Sequence, residues 1–466
     1  AIVTVKTGVG EDGEILARYV KAIYDAGAYA EKGPTVLIQG CRGAAGPYRI
    51  PNVKIEGYLV YTNKIPADAY RGYGFFQAQY AVERQMDIIA KKLGLDPLEF
   101  RLKNLLQEGD VNPIGQEVVS CGLEECLRNV AEAIRWKDRK VSEKKLVGKG
   151  IACGFKNTKT PSISTVSLEL RWDGRIILYT TAIEEGQGSR HTLAKIVAEV
   201  LNVPLDKVLI ISGDTQLPAW DTSTTSSRTT FHQGNAILLA AEKLIKSLRE
   251  KIAEKLNVSL DNIIFDGKVF KINGEEYNVI DLAKKVLSEK EVVIATGHYE
   301  PDIKQRLWEH PGIFWMYAAV GAVVEVCPDT GAVFIKKIVI ADDVGKAIDP
   351  KAVEQQLIGG IIQGLGNTLY EELVFSDSGR ILNPNFRDYK IPTTLEVSED
   401  AVQAIIIEKP HPQGPFGAKG VGEMPLVPVH AAIVNAICNA LGIEFYDLPI
   451  TPEKILLQLK HAKREK

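Results

Sequence analysis

Strand-like segments alternate with long helical patterns along nearly the whole sequence. Residues 165–170 and 176–181 have the apolar patterns of strands. A helix that Gly94 ends is marked by an apolar stripe at spacings of three or four residues: Ala78, Val82, Met86, Ile89 and Leu93. Asp96 and Pro97 then provide the capping residue and the first-turn proline of another helix. The alternation predicts an α+β fold, with mixed sheets and long helices, rather than one doubly wound sheet.

The chain is long enough for more than one domain, since 466 residues exceed the usual size of a single domain. Residues 137–149 are charged and lack a strong hydrophobic pattern, which indicates a linker. We therefore expect a first domain at 1–136 and a second at 150–466. Two loosely similar strand–loop–helix units, at 176–201 and 333–373, predict two subdomains in the second domain.

The composition argues against several kinds of partner. A net charge of -3 gives no electrostatic reason to expect binding to nucleic acid or to an anionic membrane. No uninterrupted apolar run reaches the ~18 residues of a membrane span, and no signal peptide is recognisable. The six cysteines include no Cys-x-x-Cys pair, which is unlike a disulfide framework, a zinc site or an iron–sulfur site. We expect a cytoplasmic protein with reduced thiols.

A short glycine segment, Gly186, Gln187 and Gly188, lies between a predicted strand and a predicted helix. Glycines let the backbone approach a ligand closely, and a helix N-terminus favours an anion. The amide of Gln187 has donors and an acceptor that suit the edge of a heteroaromatic ring. A plain strand-to-helix turn explains the same pattern.

A hydroxyl-rich loop at residues 222–230 has eight Ser or Thr side chains around Arg228 and precedes another predicted helix. Hydroxyls, an arginine and a helix N-terminus together predict a site for a phosphate or pyrophosphate. A polar surface loop that caps the helix is the alternative.

Glu423 is the only acidic residue between Glu408 and Glu444. It lies between Gly422 and a Met-Pro pair, next to an apolar helical pattern from about Val429 to Leu441. A carboxylate that is partly desolvated in such a setting is suited to act as a general base. A helix-entry cap is the simpler interpretation of this residue taken alone.

Two further segments have unusual compositions. Residues 69–77 combine Arg71 and Tyr73 with glycines and other aromatics, a set that can stack on and orient a planar substrate. Aromatic packing at a domain edge explains it equally well. Residues 359–366 contain four glycines inside a helical pattern, so either a neighbouring helix or a cofactor must come close to that backbone.

Taken in order, these segments resemble the molybdenum-binding large subunit of the xanthine dehydrogenase/aldehyde oxidase family of molybdenum hydroxylases. The resemblance extends over residues 1–441 and implies the multi-domain molybdopterin-binding fold of that family. The matching segments are residues 69–77, 96–104, 185–188, 214–215, 224–229, 349–350, 363–366 and 420–425.

The resemblance implies a role for each candidate residue. Glu423 matches the catalytic glutamate of a Gly-Val-Gly-Glu motif, and Arg71 and Tyr73 match substrate-facing positions. The positions that match contacts to the pterin cofactor are Gly186, Gln187, Gly188, Thr225, Ser226, Ser227, Arg228 and Thr229. No residue of this chain is assigned as a metal ligand.

The resemblance also implies cofactors and partners. We expect a molybdenum-molybdopterin cofactor in its cytosine dinucleotide form, and oxidation of an aldehyde or N-heteroaromatic small molecule with water-derived oxygen. Electrons are expected to pass to partner subunits with 2Fe-2S and FAD, since this chain has no motif for either group.

The family's upstream Gly-rich segment is missing, which predicts a second polypeptide that carries it, or a fragment. Gly72 replaces the cysteine of carbon monoxide-oxidising members. The alternative is a non-catalytic scaffold or assembly subunit of the same fold.

Overall fold

A computed structural model describes residues 1–138, 146–158, 162–217, 219–301 and 312–464 of the chain. The helices of these residues are α1 (Gly33–Gly43), α2 (Phe75–Leu93), α3 (Pro97–Asn104), α4 (Leu123–Ala133), α5 (Ser189–Leu201), α6 (Thr229–Leu256), α7 (Val279–Val286), α8 (Pro350–Leu369), α9 (Val429–Leu441) and α10 (Pro452–Arg464). The strands are β1 (Ile2–Val9), β2 (Ile15–Gly27), β3 (Asn52–Tyr61), β4 (Leu146–Asn157), β5 (Ser164–Arg171), β6 (Ile176–Thr180), β7 (Val208–Ser212), β8 (Trp220–Asp221), β9 (Ile263–Phe265), β10 (Phe270–Ile272), β11 (Glu275–Tyr277), β12 (Val292–Tyr299), β13 (Trp315–Val326), β14 (Val333–Asp343) and β15 (Val402–Ile407).

The strands form mixed sheets, which confirms the predicted α+β class. One sheet has the order β1-β2-β3, with β1 antiparallel and β3 parallel to β2. A second sheet has the order β15-β14-β13-β4, and its β14–β15 pair is parallel. A third has the order β12-β5-β6-β7, with β8 beside β5, and the short strands β9, β10 and β11 form a fourth.

Local signals in the sequence place several helix ends correctly. Gly94 adopts a left-handed conformation with φ of 68° at the end of α2, and the Asp96 carboxylate accepts the Leu98 N–H at 2.8 Å at the start of α3. Helix α8 ends at Leu369, earlier than the predicted end near residue 373. The carbonyl of Gly366 accepts the N–H groups of both Tyr370 and Glu371, which closes the helix there.

The predicted domain division rests on a linker at residues 137–149. Residues 139–145 of it lie outside the described part of the chain, and 146–149 already belong to β4, where Leu146 pairs with Val326 of β13. One hydrophobic core contains Phe100 of the predicted first domain together with Ile151 and Ile433 of the second. A separate core lies between β5, β6, β12, α5 and α6. The division at 1–136 and 150–466, with two subdomains, therefore stays a proposal.

Helix α9 packs closely on β4, which carries part of the candidate site. A side chain at Gly150 would place its Cβ 2.3 Å from both the Ala432 carbonyl oxygen and the Ala436 nitrogen. By length and composition alone, the stretch Met424–Leu441 could cross a membrane. Most of it, however, is buried against the rest of the chain. It is therefore a core helix in this structure.

We expect Gly150→Ala to lower the free energy of unfolding by roughly 1–3 kcal/mol, because the added methyl group forces α9 away from β4. Gly8→Ala is the matched control, since nothing lies within 4 Å of a Cβ at that position in β1. Chemical denaturation of both variants measures the difference. Equal stability of the two would show that α9 and β4 are not packed as described.

Candidate active site

A cavity of about 1270 Å³ collects most of the predicted site residues. Its walls come from α1, the loop before α2, the loops at 185–189 and 222–230, the start of α8 and the loop at 419–423. The predicted residues that line it are Arg71, Tyr73, Gly186, Gln187, Thr225, Ser226, Ser227, Thr229 and Glu423. Gly188 and Arg228 are not among the lining residues.

Glu423 lies on the cavity wall with its side chain 15% exposed. Its Oε2 is 2.9 Å from the Lys156 Nζ and accepts a hydrogen bond from Ser227 Oγ at 3.4 Å. The backbone N–H of Glu423 donates to the same Ser227 Oγ at 3.0 Å. Among the described residues, no group hydrogen-bonds Oε1. One carboxylate oxygen is thus held in place, and the other is available to a ligand.

Lys156 is a site residue that sequence reasoning missed. It lies in β4, its side chain is only 2% exposed, and its ammonium also donates to the Asn157 carbonyl at 2.9 Å. The mainly apolar setting expected for Glu423 is therefore wrong, because a buried positive charge contacts its carboxylate. In the sequence, Lys156 is the single charged residue of the run 150–158. Without the fold, this isolated lysine predicts neither a contact nor a role.

Arg71 connects the loop before α2 to the loop of Glu423. Its Nε donates to the Gly422 carbonyl at 2.6 Å, and its Nη2 donates to the Gln356 carbonyl at 3.1 Å. Burial lowers the pKa of the Arg71 guanidinium, and the nearby charge of Glu423 opposes that effect. Tyr73, with φ of 45°, lines the same wall and hydrogen-bonds Thr35 Oγ1 through its hydroxyl at 2.9 Å.

The hydroxyl loop has a strained backbone and packs against the loop of Glu423. Ser226 and Ser227 both have φ of 55°, a conformation that costs energy in residues other than glycine. A Cβ at Gly420 would lie 1.7 Å from the Ser227 carbonyl oxygen, so only glycine permits this contact. Thr225 and Thr229 line the cavity beside these serines.

Arg228 differs from its predicted role as a phosphate contact. Its side chain is fully buried and forms an ion pair with Asp221. It also donates to the Ser223 carbonyl at 2.8 Å and to Ser164 Oγ at 2.8 Å. These bonds point the guanidinium away from the cavity, so in this structure Arg228 supports the hydroxyl loop from behind.

The segment 186–188 also differs in part from its predicted role. Glu184 Oε1 accepts the N–H groups of Gly186 and Gly188 at 3.2 and 2.7 Å, so these donors are already paired. The Gln187 amide donates to the Ile183 carbonyl at 2.7 Å within the same loop. Gly186 and Gln187 still line the cavity, whereas Gly188 serves as the left-handed residue before α5.

The glycines of α8 are explained by a neighbouring segment. A Cβ at Gly360 would lie 2.4 Å from Pro425, and one at Gly364 would lie 2.7 Å from Val429. The first contact places α8 against the turn Met424–Leu426 that follows Glu423, and the second places it against the start of α9. The close approach predicted from these glycines is therefore to protein, at the segment that directly follows Glu423.

Asp342, near the end of β14, is fully buried, and neither of its carboxylate oxygens has a hydrogen-bond partner in the described chain. Burial raises the pKa of Asp342 well above its ordinary value, and the neighbouring charge of Asp343 adds to the increase. Asp343 itself is 2.7 Å from Lys419 in a fully buried ion pair.

Comparison with known proteins identifies the family. A molybdopterin cofactor-binding domain model matches residues 127–398, more than half of the chain, and a second model of the same description matches residues 1–105. The chain belongs to the molybdenum-binding subunits of the xanthine dehydrogenase/aldehyde oxidase family. The predicted family and molybdopterin-binding fold are thereby confirmed.

Individual members of the family show how far the likeness extends. A putative xanthine dehydrogenase molybdenum-binding subunit of Escherichia coli is 30% identical over 462 residues, which are 96% of this chain and 61% of that protein. The structure of aldehyde oxidoreductase from Desulfovibrio gigas matches with a TM-score of 0.83 at 29% identity, over 98% of this chain and 49% of that one. Quinoline 2-oxidoreductase from Pseudomonas putida matches with a TM-score of 0.84 at 26% identity, over 98% and 61%. The chain thus spans about half to three fifths of these relatives.

The residues of the cavity fit a molybdopterin cofactor. The volume exceeds the ~300–1,000 Å³ of common small-molecule sites, which leaves room for a pterin nucleotide beside a substrate. The N-terminus of α6 begins next to the cavity at Thr229 and has no acidic residue in its first turn, so it favours an anionic group. Among the described residues, no group of three or more His, Cys, Asp or Glu is placed to hold a metal ion.

Proposed function

We propose that this chain is the catalytic molybdenum-pterin part of a hydroxylase that oxidises an aldehyde or an N-heteroaromatic compound. The observation that carries the proposal is the placement of Glu423. Its carboxylate lies on the wall of a large cavity, one oxygen is held by Lys156 and Ser227, and the other has no hydrogen-bond partner among the described residues. That arrangement suits a general base.

In the proposed reaction, the bound molybdenum-pterin supplies the two-electron oxidation that places a water-derived oxygen on an electron-poor carbon. Glu423 accepts the proton that is released when this oxygen attacks, through Oε1. The loop of Glu423 keeps its position because Arg71 binds the Gly422 carbonyl. The ring of Tyr73 lines the wall where a planar substrate would stack.

We assign the pterin to the wall formed by the hydroxyl loop. Thr225, Ser226, Ser227 and Thr229 present hydroxyl and backbone groups to the cavity beside the N-terminus of α6. Gly186 and Gln187 form the adjacent part of that wall. The size of the cavity and its row of hydroxyls support a dinucleotide form of the pterin, which has a pyrophosphate to bind, and we propose the cytosine form.

The active complex needs partners. Since the chain spans about half to three fifths of its relatives, we propose that a further segment, either of a longer polypeptide or on a second one, completes the cavity. We further propose that electrons leave through 2Fe-2S and FAD subunits. A cytoplasmic location agrees with such an assembly.

The substrate class can be tested by isotope labelling. The names of the two structural relatives include an aldehyde and quinoline, which supports the two proposed substrate classes. The purified complex would be incubated with aldehydes and N-heteroaromatic compounds in ¹⁸O-labelled water. We expect ¹⁸O in the oxidised product, with reduction of an added electron acceptor. A complex that contains the cofactor but incorporates no label from any substrate would favour the scaffold alternative.

A further inference from the structure

Lys156 is buried in a position that stability alone does not require. Its side chain is 2% exposed, and its ammonium is 2.9 Å from Glu423 Oε2 and 5.6 Å from the centre of the Phe75 ring. Apolar side chains often replace a buried ion pair with no loss of stability. A buried lysine directed at the one carboxylate of the catalytic loop therefore calls for a functional explanation.

The strand that carries Lys156 is held firmly at this point. The Gln79 side chain of α2 donates to the Phe155 carbonyl at 2.6 Å and accepts the Phe155 N–H at 3.1 Å. The N–H and the carbonyl of Phe155, directly before Lys156, are thus both hydrogen-bonded to Gln79. Because the strand is fixed, the ammonium and Ser227 Oγ together fix the orientation of the Glu423 carboxylate.

Other charges around Glu423 are farther away or already neutralised. Arg71, on the loop before α2, binds the Gly422 carbonyl rather than the carboxylate. Lys419, at the start of the loop, is paired with Asp343 at 2.7 Å. Asp342 is fully buried, and burial raises the pKa of its carboxyl well above the ordinary value. Lys156 is therefore the described cation in direct contact with Glu423.

We propose that Lys156 is a positioning residue that keeps Glu423 ionised, leaves Oε1 directed to the reacting atoms, and thereby sets the lower pH limit of turnover. The part that concerns turnover rests on the function proposed above. The part that concerns ionisation rests on the Lys156–Glu423 contact alone, so the two parts can fail separately.

The test is an infrared pH titration of the carboxyl groups in the full chain. The infrared band of the protonated Glu423 carboxyl is identified as the band that is absent from the spectrum of the Glu423→Gln variant. We expect Lys156→Met to move the midpoint of that band upward by about 1–3 pH units, because an opposite charge within hydrogen-bonding distance favours the ionised form. Lys156→Arg should stay close to the parent. Lys149→Met, on the same strand but only partly buried and bound through its ammonium to the Asp138 carbonyl, should leave the midpoint unchanged.

The same variants are then compared in the complex. The acidic limb of the pH profile of kcat/KM should move upward with Lys156→Met, and the Arg variant should restore it. Lys156→Gln, which can still donate to the Asn157 carbonyl, replaces the Met variant if that one unfolds. An infrared midpoint that does not move overturns the proposal. A shifted midpoint in a complex that hydroxylates no substrate supports the role of Lys156 and contradicts the proposed function.

Discussion

Glu423→Gln is expected to lower kcat/KM of the intact complex by roughly 10²–10⁴-fold, since an amide cannot accept the proton that the carboxylate accepts. Glutamine has the size of glutamate, and its amide oxygen can still accept the hydrogen bond from Ser227 Oγ. Folding and cofactor content should therefore be close to those of the parent. Steady-state kinetics on the complex, with molybdenum measured in each preparation, gives the effect per loaded site.

The matched control is Glu124→Gln, which removes a carboxylate from the exposed face of α4 and breaks only a surface pair with Arg128. We expect it to leave kcat/KM within about twofold, because exposed pairs contribute little. Should Glu423→Gln also retain the parental rate with a full complement of molybdenum, Glu423 would not be the base, and another residue would have to receive the proton.

Arg101→Leu is expected to destabilise the chain by roughly 3–5 kcal/mol. Arg101 is fully buried, and its Nε is 2.9 Å from Oε2 of Glu83, which is itself 1% exposed. Its Nη1 also binds Asp87 at 2.6 Å. Removal of the guanidinium leaves the Glu83 charge buried without its counter-ion. Chemical unfolding of the variant and the parent measures the loss.

This cluster also bears on the active site. Glu83 Oε2 accepts the Cys153 N–H at 2.8 Å, so the Arg101–Glu83 pair anchors β4, the strand of Lys156, onto α2. Arg128→Leu, which breaks an exposed pair with Glu124, is the control and should cost less than about 1 kcal/mol. A loss for Arg101→Leu as small as that of the control would mean that the pair is not buried as described.

Helices were the part of the fold that local sequence predicted best. Ala78, Val82 and Met86 of the stripe that predicted α2 are buried, whereas Leu93 at its end is exposed. Gly94 ends α2, and Asp96 caps α3. Helix α9 has the bounds that its apolar run indicated, Val429 to Leu441. These features depend on neighbours within a few residues along the chain. The order of strands in the sheets depends on pairing across long separations, and no local pattern determines it.

The candidate site shows the same division. The isolation of Glu423 among apolar residues and glycines singled it out in the sequence, and the structure places it on the cavity wall. Its contact with Lys156 joins β4 to a loop far along the chain, so the setting of the carboxylate could not be predicted locally. The hydroxyl loop was recognised by composition, but the direction of the Arg228 side chain depends on its ion pair with Asp221, which composition does not predict.

The central claim is that this cavity holds a molybdenum-pterin cofactor. Metal and pterin analysis of the complex purified from its native source, with the co-purifying chains identified, tests it most directly. We expect about one molybdenum per chain and a cytosine-containing pterin nucleotide. An intact complex with neither molybdenum nor pterin would contradict the claim and leave Glu423 as a residue of a scaffold.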